Sequence, residues 1–194
     1  CTAANAGTIC RSGVCDPDLK CGYANGDGPC TAANGGTICR SGVCDPDLKC
    51  GLTNNVGPCT AATATTVCRS GVCDPDLKCG LGNGAGPCTA ANQAIICRSA
   101  ICDLADSKCG FANGDGPCTT ATAGTICRSG VCDPDLNCGY ANGDGPCTKV
   151  NGGLVCRSMS CSVDGNCQPA GGCNRDADCA AGSWCEESTH TCKP

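Results

Sequence analysis

Sulfur is the reactive element of this sequence, in which 28 of 194 residues are cysteine. Cysteine can ligate a metal, run thiol redox exchange or close a disulfide, and spacing separates these chemistries. Zinc sites and metallothionein-like clusters use C-x2-C, C-x-C or adjacent cysteines. The shortest gap here is the four residues between Cys10 and Cys15 and at the same place in later copies. A redox C-x-x-C and a haem-attaching C-x-x-C-H are absent for the same reason. The remaining chemistry is a disulfide framework, which needs an oxidising compartment and so argues for secretion or a cell surface.

Other side chains offer less. Asp16, Asp18 and Asp27, with Asn25 and Gly26, could hold calcium through hard oxygen ligands. The three-aspartate set is incomplete in the second and third copies, where Val56 and Ala85 replace Asp27. The preferred reading is therefore that Asp16 caps a turn, Asp18 is solvated, and no cofactor is required. An arginine follows the second cysteine in every copy (Arg11, Arg40, Arg69, Arg98, Arg128, Arg157), and Asp follows the third in five. Arg–Asp pairing within or between copies would set register more than stability. Catalysis has no footing, because one histidine, His190, cannot serve the repeats, and no nucleophile, base and orienting group recur together. Thr60, Thr63, Thr65, Thr66, Thr119, Thr120, Thr122 and Thr125 could carry O-linked glycans or face ice, although a solvated loop explains them as well.

These residues are positioned by a repeat. The pattern C-x8-C-x4-C-x5-C recurs every 29 residues, the mark of a tandem array. Repeats span 1–29 (Cys1, Cys10, Cys15, Cys21), 30–58 (Cys30, Cys39, Cys44, Cys50) and 59–87 (Cys59, Cys68, Cys73, Cys79). They continue over 88–117 (Cys88, Cys97, Cys102, Cys109), 118–146 (Cys118, Cys127, Cys132, Cys138) and a divergent 147–172 (Cys147, Cys156, Cys161, Cys167). A different four-cysteine module, 173–194 (Cys173, Cys179, Cys185, Cys192), ends the sequence. It reads as a cap for a face without a neighbour, or as a recognition surface built on Trp184, Glu186 and Glu187. Three pairings of four cysteines are open in each repeat, and first to third with second to fourth is preferred.

Local signals predict small, mostly irregular modules. Cys1–Asn5 reads as one helical turn with Gly7 as its exit. Thr8–Cys10 and Val14–Cys15 read as a β-hairpin around Arg11-Ser12-Gly13. Asp16-Pro17-Asp18-Leu19-Lys20 reads as a second helical turn with Gly22 past its end. The large apolar residues Ile9, Val14, Leu19 and Tyr23 form a seam, not a core. Disulfides replace the missing core, each short loop contributing about 2–3 kcal/mol in the chain-entropy model.

With one Phe, one Trp, two Tyr and a net charge of −5, the chain lacks the basic and stacking surfaces that nucleic acid requires. No segment approaches the roughly 20 apolar residues of a membrane span. No signal peptide opens the sequence, which suggests a processed or excised chain.

The run CRSGVCDPDLKCGYANGDGPCT and its copies resemble the cysteine-rich repeats of large secreted or surface-attached bacterial proteins. CNRDADCAAGSWCEESTHTC is similar to short C-x5-C-x5-C modules in such proteins. That resemblance implies stalks, fibres or adhesive surfaces and no reaction. The expected fold is a set of small disulfide-rich repeats with short β-hairpins and single helical turns, stacked as an elongated rod. Seven modules in line would reach about 120 Å. The expected function is an extracellular structural protein, a filament subunit or adhesive stalk, that self-associates or attaches to a cell surface. The alternatives are a glycan- or protein-binding array, in which Tyr23, Leu52, Leu81, Phe111 and Tyr140 are exposed, and an ice-binding protein.

Overall fold

The computed structural model describes residues 1–170, 172, 173, 175–186, 188 and 191–194, in two compact units, Cys1–Ala100 and Ile101–Pro194. The division falls inside the fourth repeat. Every one of the 28 cysteines is disulfide-bonded and none is free.

Bridges close inside modules. Cys1–Cys15 pairs with Cys10–Cys21, Cys30–Cys44 with Cys39–Cys50, and Cys59–Cys73 with Cys68–Cys79. Cys118–Cys132 with Cys127–Cys138, and Cys147–Cys161 with Cys156–Cys167, repeat the pattern. The terminal module also joins first to third, Cys173–Cys185, and second to fourth, Cys179–Cys192. First to third with second to fourth is thus the pairing seen, and none of these bridges joins the last cysteine of one repeat to the first of the next.

The helical turn sits one step later than propensity suggests. Thr2 N–H donates to Asn5 Oδ1 at 2.7 Å, which locks residues 2–5 as a loop, and the chain winds only from Asn5 onward. The one-turn helices are α1 (Ala6–Ile9), α2 (Gly35–Ile38), α3 (Ala64–Val67), α4 (Gln93–Ile96), α5 (Ala123–Ile126) and α6 (Gly152–Val155). Gly7 is thus inside α1 and not its exit. Each helix stops where the second cysteine turns extended, with φ −101° and ψ 124° at Cys10. The first helical residue faces the third cysteine, and a Cβ on Gly35 would lie 2.9 Å from Cys44 Cβ. Small residues at that place let the helix lie on the sulfur bridge.

The hairpin also moves. Arg11-Ser12-Gly13 forms a plain turn, and the antiparallel pairing lies around the DPDLK loop, with bridges Cys15↔Cys21, Cys44↔Cys50, Cys73↔Cys79, Cys132↔Cys138 and Cys161↔Cys167. In the fourth repeat it extends to two strands, β1 (Cys102–Asp103) and β2 (Lys108–Cys109), in register Cys102↔Cys109. Leu19 closes this loop in the left-handed region, φ 62°, and its N–H donates to Asp16 O at 2.9 Å. The predicted second helical turn is therefore a tight hairpin loop. The terminal module adds a 3-10 turn (Asp176–Asp178) and the hairpin β3 (Trp184–Glu186) with β4 (Thr191–Lys193).

Cystine is the core. The sulfurs of Cys30, Cys39 and Cys50 lie within 4.8 Å of one another and are buried. One apolar side chain from the preceding repeat covers each such pair: Tyr23 packs on Cys30, Cys39 and Cys50, Leu52 on Cys59, Cys68 and Cys79. Phe111 covers Cys118, Cys127 and Cys138, and Tyr140 covers Cys147, Cys156 and Cys167. Of the four apolar places expected in the seam, those of Ile38, Val43 and Leu52 pack on cystine, whereas the Leu19 place points out, with Leu19, Leu48, Leu77 and Leu136 all exposed.

Candidate functional site: the seam between repeats

The residues that could do chemistry converge where one repeat meets the next. A parallel bridge starts the seam: Tyr23 N–H donates to Ile38 O at 2.7 Å, and Arg40 N–H donates back to Tyr23 O at 3.0 Å. The same exchange recurs at Leu52, Leu81, Phe111 and Tyr140. This pairing aims the arginine side chain back across the DPDLK loop of the preceding repeat.

Arg40 takes Asp18 with both Nη atoms, at 2.6 and 2.5 Å, and reaches Asp16 Oδ2 at 3.3 Å. Its Nε and Nη2 also donate to Cys21 O and Lys20 O, both at 3.2 Å. Arg69 holds Asp47 at 2.6 and 2.7 Å, Arg98 holds Asp76 at 2.7 and 2.6 Å, and Arg128 holds Asp106 at 2.6 and 2.8 Å. Arg157 holds Asp135 at 2.6 Å through both nitrogens. Such two-pronged, charge-assisted contacts fix geometry as well as charge. The guanidinium hydrogen bond lowers Asp18, Asp47 and Asp76 from 3.8 to about 2 and depresses Asp106 and Asp135 in the same direction. Burial, and then neighbouring Asp144, push Asp133 upward.

The acidic turn is therefore an arginine receptor. Asp18 is exposed but held by Arg40, and Asp16, buried at 3% exposure, accepts from Ala24 N–H and Arg40 instead of capping a helix. In the calcium reading Asp16, Asp18 and Asp27 supply the ligands and Asn25 and Gly26 a flexible loop; Asp16 and Asp18 instead hold Arg40, and Asn25 donates its amide to Thr66 O, two repeats away, at 2.8 Å.

That asparagine is the residue sequence reasoning missed. Asn54 likewise reaches Ile95 O and Asn113 reaches Leu154 O, both at 2.8 Å. Each crosses a left-handed glycine of the intervening repeat: a Cβ on Gly51, Gly80 or Gly139 would overlap Asn25, Asn54 or Asn113. The signal was present, since Asn stands two residues after the Tyr/Leu/Phe position in each of the first five repeats. Within a unit each of these ties links a module to the next but one in the stack.

The threonines are all exposed. Thr60 and Thr63, and Thr119 and Thr122, exchange N–H to Oγ1 bonds of 3.0 and 3.3 Å. They do the work that Thr2 and Asn5 do in the first repeat. Thr65, Thr66, Thr120 and Thr125 point from the same turns. Threonine at both places of the paired turn occurs only in the third and fifth repeats, the others pairing threonine with asparagine. The five side chains expected to read a ligand are not exposed: Leu52 and Leu81 are buried, and Tyr23, Phe111 and Tyr140 are half-buried against cystines. Trp184 is half-exposed on β3, opposite Lys193. Glu187 and His190 lie outside the described residues. Shallow depressions recur along the seam, one lined by Asn25, Arg40 and Thr66 and the next by Asn54, Arg69 and Ile95.

Among the described residues no helix is long and apolar enough to cross a membrane. Comparison of the chain with protein-family models, with curated proteins and with solved structures gives no match.

Proposed function

We propose that the chain is an extracellular structural element, a disulfide-stapled repeat array that serves as a fibre subunit or an adhesive stalk at a cell surface. The observation that supports this reading is that every module spends its chemistry on holding its neighbours. Sulfur closes each module, arginine and aspartate lock one to the next, and asparagine ties alternate modules together. Cross-linking of this density resists reduction and proteolysis outside cells and has little use in a reducing interior. Negative-stain electron microscopy of native material tests the reading. Filaments or extended particles of uniform width are expected, and compact monodisperse spheres would remove it.

A second reading is favoured by the equivalent depressions beside Asn25, Asn54 and Asn113, since a ligand with its own repeat, such as a polysaccharide, could register with them. Binding to a glycan panel that strengthens with oligosaccharide length would support it.

A further inference from the structure

Repeats 2 to 6 each receive a backbone exchange and an Asp–Arg pair from the repeat before them, repeats 2, 3 and 5 also receive an asparagine across a left-handed glycine, and the first repeat carries the same receiving groups unfilled. Its Ile9 carbonyl corresponds to Ile38 O, Val67 O, Ile96 O, Ile126 O and Val155 O, all of which accept a backbone N–H from the preceding module. Among the described residues Ile9 O and Arg11 N–H have no backbone partner, and the Arg11 guanidinium has no carboxylate. Ile9 is 55% exposed, whereas its counterparts Ile38, Val67, Ile96 and Ile126 are half-buried and Val155 is buried. Gly22 adopts φ +80° like Gly51, Gly80 and Gly139, yet no asparagine lies across it. The nitrogen of Cys1 donates to Leu19 O at 2.9 Å, as the amides of Cys30, Cys59 and Cys118 donate to Leu48 O, Leu77 O and Leu136 O.

The last repeat is the converse case. Asp164 stands where Asp18 stands, and Arg175 of the terminal module holds its Oδ1 at 2.6 Å. Asp178 accepts Val163 N–H at 3.0 Å. Ser162 replaces the buried aspartate, and Gln168 replaces the glycine that an asparagine would cross. This turn is thus answered within the chain and is not available to a second copy.

We propose that the face around Ile9, Arg11 and Gly22 is the receiving half of a seam. Its occupant is a further module of this same construction, joined through the nitrogen of Cys1. That module presents an Asp-x-Asp turn, an apolar residue five positions on and an asparagine two beyond it. The aspartates seat on Arg11, the apolar residue pairs with Ile9 O and Arg11 N–H while covering Cys1, Cys10 and Cys21, and the asparagine crosses Gly22 to Thr37 O. The open receiving face thus lies beside Cys1, whereas the Asp164 turn of the sixth repeat is answered by Arg175 and Asp178. The inference concerns how modules add and stands whether or not the array is a fibre or stalk.

The experiment places a copy of residues 1–29 directly ahead of Cys1 in the full chain and follows backbone hydrogen exchange by NMR. With the added cysteines bonded, the Arg11 amide is expected to slow by at least about tenfold, toward the rate of Arg40, because it becomes an interior seam donor. Replacing the two aspartates of the added turn by asparagine should return part of that protection. An Arg11 amide that exchanges as in the unextended chain would overturn the proposal, as would an added copy whose cysteines stay unpaired. Concentration-dependent slowing of Arg11 in the unextended chain would assign the face to a second copy and overturn it equally.

Discussion

The inside of a module and the seam between modules are held by different physics. Inside, two cystines in contact close short loops, and neither pH nor salt alters them. At the seam, guanidinium, carboxylate and amide groups meet near the surface, where Asp18 and Asp47 keep about two fifths of their side chains exposed, at 42% and 43%. A repeat can therefore lose its neighbours without losing its own shape, and the two kinds of strength can be removed separately.

The largest effect should come from inside a module. Replacing Cys39 and Cys50 together by alanine removes one buried bridge and should cost about 2–5 kcal/mol in chemical denaturation. An unchanged midpoint would mean that cystine is not the core. Next in size is Gly51→Ala at the seam, where a methyl meets Asn25 and φ is +76°. A cost of about 1–3 kcal/mol is expected from the strained backbone alone, with faster exchange at Gly26, whose N–H donates to Cys50 O.

Acid should act on seams and spare modules. Asp18, Asp47 and Asp76 titrate near 2 when folded against 3.8 ordinarily, so their contribution is complete above about pH 4 and is lost as pH falls toward 2. Asp133 has the opposite sign, since burial and Asp144 raise it and protonation relieves the cost of its charge. The depressed group is more numerous, so seam amides such as Arg69 N–H should exchange faster below pH 4 while every disulfide persists. A seam unaffected at pH 2 would remove the ionic account. The smallest effect is Leu48→Asn. Leu48 is exposed at φ 63°, a region that asparagine enters more readily, and a gain below about 1 kcal/mol is expected. A loss would show that the leucine tip makes a contact of its own.

Much of the module was legible in the cysteine spacing. Period, repeat boundaries and the absence of a conventional core all follow from where sulfur recurs, and the Arg and Asp positions pointed to pairing across modules. The errors share a cause. Propensity at Cys1–Asn5 and at Asp16–Lys20 favoured helical turns, but disulfide closure decided both: Cys15 and Cys21 lie opposite each other, which bends DPDLK into a hairpin loop. Leu19 reads as part of the apolar seam because it is large and apolar, although cystine already fills the interior. Asn25 reads only as part of a loop that could hold calcium because its partner, Thr66, is 41 residues away. No local pattern measures such a distance, whereas the coincidence of Asn25 with Gly51 and their repetition one period later carried the information.

The asparagine tie has a thermodynamic consequence. Stacked arrays commonly behave as one-dimensional chains with nearest-neighbour coupling, so that they fray from their ends one unit at a time. Here a residue in the first repeat is bonded to the third, and one in the second to the fourth. Detaching the second, third or fifth repeat breaks a coupling that skips over it, so there the smallest melting block spans three repeats, and fraying gives way to concerted loss.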